Sequence, residues 1–309
     1  MYTLPGLRPV CRLFLVAFLS PVTAQQISSG SAQSVPEAGT ATITVTVTDH
    51  KHRPVPGLKA EDFTLSEDGK PKSITSVTSD GPACIGIIVD NSGSMRPMHG
   101  SFASALGEFV RAGNPGNQDF AVIFNDNPFL DQDFTRDPAL IERAISRASP
   151  RGGTAMYDAI IASADHLAEK KACGKRVLLI VGDGEDNESR KNLDFTLHAL
   201  QTSGNPLIYA LALSHANLST PHGRRVLEAL AAPSGGAVFF AEGPAELQKV
   251  SRQAAEEIRS QYSVTYSASA KTGNPQIKMA GHKDLMVRVN ASHLPDLAQP
   301  QTSSGEQNK

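Results

Sequence analysis

The 309-residue sequence has no tryptophan, and aromatic residues make up only 6% of it. That scarcity argues against a platform that stacks bases or sugar rings. Charge of neither sign predominates: 29 Lys and Arg stand against 31 Asp and Glu. A nucleic-acid-binding face and a polyacidic tail are both missing from the totals. There is no H-E-x-x-H and no paired cysteine motif, so a zinc-protease site and a zinc finger are excluded at the level of pattern. No apolar run reaches the roughly 20 residues that a membrane-spanning helix needs, and no internal repeat is visible. Cysteine is sparse, at three residues.

What is present begins with a leader. Arg8 and Arg12 precede the apolar stretch Leu13 to Leu19, and Val22-Thr23-Ala24 offers the small residues of a cleavage site, so residues 1–24 are expected to be a signal peptide. The product is expected to be exported, periplasmic or secreted, without a transmembrane segment. Cys11 leaves with the leader, and Cys84 and Cys173 remain in an oxidising compartment. Whether those two meet depends on the fold. Residues 25–39 are rich in Ser, Gly, Gln and Pro, as a disordered linker is, and 295–309 read as a disordered tail.

Between them the chain changes rhythm twice. Ala41 to Thr48 alternates β-branched residues at period two, and short strands are expected at Phe63 to Glu67 and Ser73 to Thr78. From Cys84 the apolar runs become continuous: CIGIIVD, then Phe120 to Phe124, Phe129 to Phe134, Val177 to Val181, Leu207 to Leu213 and Ala237 to Ala241. Continuous runs suit strands buried on both faces. Helical patterns separate most of them, at Ser101 to Arg111, Pro138 to Ala148, Ala155 to Lys170, Arg190 to Thr202, Gly223 to Ala231 and Ala245 to Ser260. Alternation of this kind predicts an α/β fold with a doubly wound, mostly parallel sheet over 83–260. The exception is the pair around Asn125 to Pro128, which suits a hairpin with one antiparallel edge strand. Strand patterns return at Tyr262 to Ala268, Gln276 to Ala280 and Leu285 to Asn290. A small β unit formed from the flanking segments 40–82 and 261–294 would leave fewer bare edges than two separate fragments.

Three segments carry the chemistry. The first strand ends in Asp90-Asn91-Ser92-Gly93-Ser94, Arg151-Gly152-Gly153-Thr154 precedes a helix, and a later strand ends in Gly182-Asp183-Gly184-Glu185-Asp186. Each alone has a plain reading as a turn or a helix cap. Ligands in open α/β sheets bind at the carboxyl ends of strands, so the three together would gather two carboxylates and three hydroxyls at one end of one sheet. Such hard oxygen donors favour Mg²⁺, Mn²⁺ or Ca²⁺ over zinc.

In this order, D-x-S-x-S, G-G-T before a helix and a strand ending in D-G resemble the metal ion-dependent adhesion site (MIDAS) of von Willebrand factor type A domains. The likeness covers roughly 83–260, and with its flanking β segments the chain is similar to a bacterial group of exported proteins related to that family. The resemblance implies a Rossmann-like domain whose metal is held directly by Ser92 and Ser94, directly or through water by Thr154, and often through water by Asp90 and Asp183. It implies a protein partner that offers an acidic side chain to the metal, and no catalysis. Gly182 departs from the Thr or Ser found in many relatives, and Asp186 ranks lower as a substitute ligand. The family's strand order would set the Cys84 strand beside the Cys173 strand, which makes a stapling disulfide feasible.

Other features point elsewhere. Asp126, Asp131 and Asp133 lack calcium-loop spacing and suit a solvated hairpin. A haloacid-dehalogenase-like phosphatase needs a second acid where Ser92 stands, and a serine hydrolase needs G-x-S-x-G. A metal-dependent hydrolase and a scaffold without a functional metal stand as the alternatives to a binding module.

Overall fold

The computed structural model describes residues 39–213, 220–269, 273–282 and 284–290. The leader at 1–24, nearly all of the linker and the tail lie outside the described residues. In chain order the first strands are β1 (Thr40–Thr48), β2 (Phe63–Glu67), β3 (Lys70–Lys72) and β4 (Ile74–Ser79). The α/β elements follow: β5 (Ala83–Asp90), α1 (His99–Ala112), β6 (Gln118–Phe124), β7 (Pro128–Thr135), α2 (Pro138–Arg147), α3 (Met156–Glu169) and β8 (Lys175–Val181). Then come α4 (Leu193–Thr202), β9 (Leu207–Leu213), α5 (Pro221–Ser234), β10 (Ala237–Ala241) and α6 (Pro244–Arg259). The chain closes with β11 (Tyr262–Ser267), β12 (Pro275–Met279) and β13 (Met286–Asn290).

The central sheet has the order β10-β9-β8-β5-β6-β7. All its pairings are parallel except β6 with β7, the expected antiparallel edge hairpin. Every residue of β5 is buried, because the sheet is covered on both faces. Ile85, Ile87 and Val89 pack with residues of α1, α2 and α6 on one face. Cys84 and Ile88 pack with residues of α3, α4 and α5 on the other. This is the doubly wound arrangement that continuous apolar runs require.

The outer strands interleave both chain ends. One antiparallel sheet has the order β13-β1-β11-β4, and a second has β12-β2-β3. Ile43 and Val45 of β1, Phe63 and Leu65 of β2, Tyr262 and Val264 of β11 and Ile277 of β12 share one core. The two sheets therefore form a single β unit, and β3 is a short strand between two that the sequence predicts. Inside it Glu67 accepts from the Ser269 backbone N–H at 2.9 Å and pairs with Lys72 at 3.1 Å. Burial pushes the Glu67 carboxyl up, but the hydrogen bonds from Ser269 and Lys72 outweigh it and bring its pKa down to about 2.

Helix ends follow capping chemistry. α4 begins three residues later than its periodicity suggests because the Asn192 side chain caps it by accepting from the Phe195 N–H. α5 extends beyond the predicted span: Thr220 caps it with Pro221 in its first turn, and Gly235, at φ 78°, ends it in the left-handed region.

Cys84 and Cys173 are joined by a disulfide, with their Cα atoms 5.8 Å apart at a sequence separation of 89. It lies near the start of β5 and just before β8, at the amino end of the sheet. A loop of this length implies about 3 to 5 kcal/mol from restriction of the unfolded chain. Reduction, or Cys84→Ala with Cys173→Ala, is expected to lower the denaturant midpoint accordingly in equilibrium unfolding. A second prediction concerns acid. Glu67 has a folded pKa below its ordinary 4.5, so its contribution is complete above about pH 4.5 and fades as pH falls toward 2. Glu67→Gln should flatten the decline of thermal midpoint across that window.

Candidate metal centre

Strand order creates the site. β5 turns one way to β6 while its other neighbour is β8, so β5 and β8 flank the point where the sheet's connections diverge, and their carboxyl ends open a crevice. Val89 pairs with Val181, which places Asp90 and Gly182 side by side as each strand ends. Asp90 Oδ1 accepts from the Ser92 N–H at 2.8 Å, and the Ser92 and Ser94 hydroxyls lie 2.9 Å apart. Asp183 Oδ1 accepts from the Glu185 N–H at 3.0 Å.

The G-G-T loop is stitched to both strand ends. The Gly93 N–H donates to Gly152 O at 3.1 Å, and the Arg151 N–H donates to Asn91 O at 2.9 Å. The Asn187 side chain accepts from the Thr154 N–H at 2.8 Å, while the Asn187 N–H donates to Thr154 O at 3.0 Å. Thr154 is buried, and its hydroxyl has no hydrogen bond among the described residues. The cap reading of Thr154 is thus set aside. α3 takes its cap from Asp186, whose Oδ2 accepts from the Tyr157 N–H at 3.0 Å and from the Ser189 hydroxyl at 2.6 Å. Asp186 is accordingly committed to α3 rather than to a ligand set.

Asp126 was not distinguished by spacing, yet it holds the loop by accepting from the Gly153 N–H at 2.6 Å. Gly152, at φ 73°, occupies the left-handed region, and a Cβ there would meet Asp126 Oδ2 at 2.5 Å. Asp131 pairs with Arg147 and Asp133 bonds His166. The three acids are therefore structural fastenings of the hairpin rather than a freely solvated cluster. Contact across the fold, not local pattern, selects them.

The electrostatics are one-sided. Asp90 and Asp183 are 3% and 8% exposed, and among the described residues neither forms an ion pair with a basic side chain. Burial pushes Asp90 up to about 7, with the Asp183 charge adding to the shift and hydrogen bonds from Ser92 opposing it. Burial raises Asp183 as well, with help from Glu185. Such a pair lacks a compensating positive charge. Two carboxylates and three hydroxyls are a hard donor set that a small divalent cation fits. Among the described residues no three His, Cys, Asp or Glu side chains gather to hold a metal, so any such site draws on these hydroxyls. Gly182 has a local reason: a Cβ there would come within 2.9 Å of Asp90 Cβ.

Residues 85–185 match the family model of the von Willebrand factor type A domain. This part of the chain is a von Willebrand factor type A domain. Solved structures agree on the fold. A von Willebrand factor type A protein from Catenulispora acidiphila is 13% identical over 82% of this chain and 72% of that one, with a TM-score of 0.50. Proximal thread matrix protein 1 of the mussel byssus, solved with a zinc-occupied MIDAS motif, is 20% identical with a TM-score of 0.51. That likeness covers 63% of this chain and 50% of the mussel chain. A comparison with curated proteins gives no match. Among the described residues of the type A domain and its β unit, no helix is long and apolar enough to cross a membrane.

Two substitutions separate the metal centre from its scaffold. Gly182→Thr should displace Asp90 and weaken Mg²⁺ or Mn²⁺ binding by about 10- to 100-fold, the range of outer-shell changes, as read by calorimetry. Asp186→Ala should leave that affinity nearly intact while costing about 1 kcal/mol of stability through the α3 cap, as read by thermal unfolding.

Proposed function

We propose that the chain is an exported, non-enzymatic binding module whose type A domain grips a protein partner through a divalent cation. The observation that carries this is the pair of buried, unpaired carboxylates beside three hydroxyls at the point where the sheet's connections diverge. Ser92 and Ser94 would hold the cation directly, with Thr154 completing the set from the G-G-T loop. Asp90 and Asp183 would supply charge from behind. When bound, the cation offers an electrophilic position that an Asp or Glu carboxylate of the partner fills. With neutral hydroxyls as the direct protein ligands and the two carboxylates set behind them, the coordination sphere would keep a position for a carboxylate from outside.

The hardness of the donors favours Mg²⁺, with Mn²⁺ or Ca²⁺ next. The zinc in the mussel protein's motif supports the general capacity of such a site for a dication. The leader-like first 24 residues and the Cys84–Cys173 disulfide support an oxidising, extracytoplasmic location.

Immobilised mature chain is expected to retain a partner from an envelope extract in Mg²⁺ and to release it on chelation. Asp90→Ala should retain none. Retention that is indifferent to both chelator and substitution would remove the proposal, and metal-dependent turnover of phosphate or ester substrates would replace it with the hydrolase reading.

A further inference from the structure

Beside the metal centre lies a second pocket, of about 300 Å³, whose walls include Asn91, Phe129, Asp131, Arg147 and Arg151. It shares its framework with the metal loops: Asn91 follows Asp90 directly, and Arg151 stands three residues before Thr154. The walls are fixed. Asn91 Nδ2 donates to Ser149 O at 3.0 Å, and Arg147 pairs with Asp131 at 2.8 Å. That ion pair ties the end of α2 to the edge strand β7 and cancels one positive charge.

The Arg151 guanidinium is different. Its side chain is exposed and makes no hydrogen bond or ion pair among the described residues, so the pocket carries one uncompensated positive charge. Phe129, 56% exposed on β7, adds an apolar wall. A planar guanidinium with free donors matches a carboxylate in a bidentate geometry. Resting on the proposed metal-dependent binding, we infer that this pocket selects partners with two acidic residues at positions i and i+2 of one extended segment, which share a face: one carboxylate for the metal, the other for Arg151.

The probes are capped pentapeptides, Gly-Asp-Gly-Asp-Gly, Gly-Asp-Gly-Asn-Gly and Gly-Asn-Gly-Asp-Gly, titrated into ¹⁵N-labelled protein at saturating Mg²⁺ and again in chelator. The diacid is expected to bind about three- to tenfold more tightly than either monoacid, as a partly exposed charge-assisted pair should, and to shift the signals of Asn91 and Arg151. R151Q should bring the diacid down to the monoacid level. Equal binding of diacid and monoacids, or a preference that survives in R151Q, overturns this inference while leaving the metal reading standing. Absence of any Mg²⁺-dependent shift with all three peptides overturns both.

Discussion

The site depends on placing two carboxylates side by side, out of water, with no basic side chain to answer them. Register forces this on the fold. Because β5 and β8 pair in parallel with Val89 opposite Val181, Asp90, which closes one strand, and Asp183, two residues beyond the other, open onto the same crevice. The absence of a Cβ at position 182 lets Asp90 lie across it. A folded chain tolerates such a concentration of like charge when protons, hydrogen bonds or a cation offset it. Here the hydrogen bonds come from the backbone of the same two turns, and the Ser92 and Ser94 hydroxyls lie on the turn that follows Asp90.

The β unit is coupled to the type A domain through polar chemistry. Glu257 of α6 is almost fully buried; it accepts from the Tyr209 hydroxyl at 2.8 Å and pairs with Arg288 of β13. Gln261 donates to both Tyr209 and Thr46, joining β9 to β1. Nearby, buried Lys175 donates to Ile258 O at 2.7 Å, fastening the start of β8 to the last turn of α6. These directional buried bonds specify one arrangement of the packed elements, although Gln261 Oε1 has no partner among the described residues. They sit toward the amino end of the sheet with the disulfide, leaving the opposite end to the loops that carry the metal centre.

Period-two alternation in β1 and the continuous run of β5 announced their strands directly, since burial on one face or two leaves that signature. The ends of helices were less legible, because Asn192 and Thr220 act through single hydrogen bonds that periodicity does not register. Ser92, Ser94, Thr154, Asp90 and Asp183 stand out as candidates because the motif lies in short contiguous pieces, each of which is visible in the linear sequence. Asp126 and Asp186 do not: each works on a loop about thirty residues away, and nothing in its neighbours says so. Arg147 ends α2 and pairs with Asp131, whereas Arg151 stands in the loop before α3 with no carboxylate bonded to it among the described residues, a difference that residue type does not signal.

The sequence by itself determined the class of fold and the kind of donors, since apolar period and side-chain chemistry are local properties that survive in a linear string. Tertiary structure alone decided which acids stay without a basic partner and which fasten loops, that Cys84 and Cys173 meet, and that one arginine beside the candidate metal centre stays unpaired. Those outcomes depend on strand order and register, which bring distant positions within hydrogen-bonding distance and are written in no single segment.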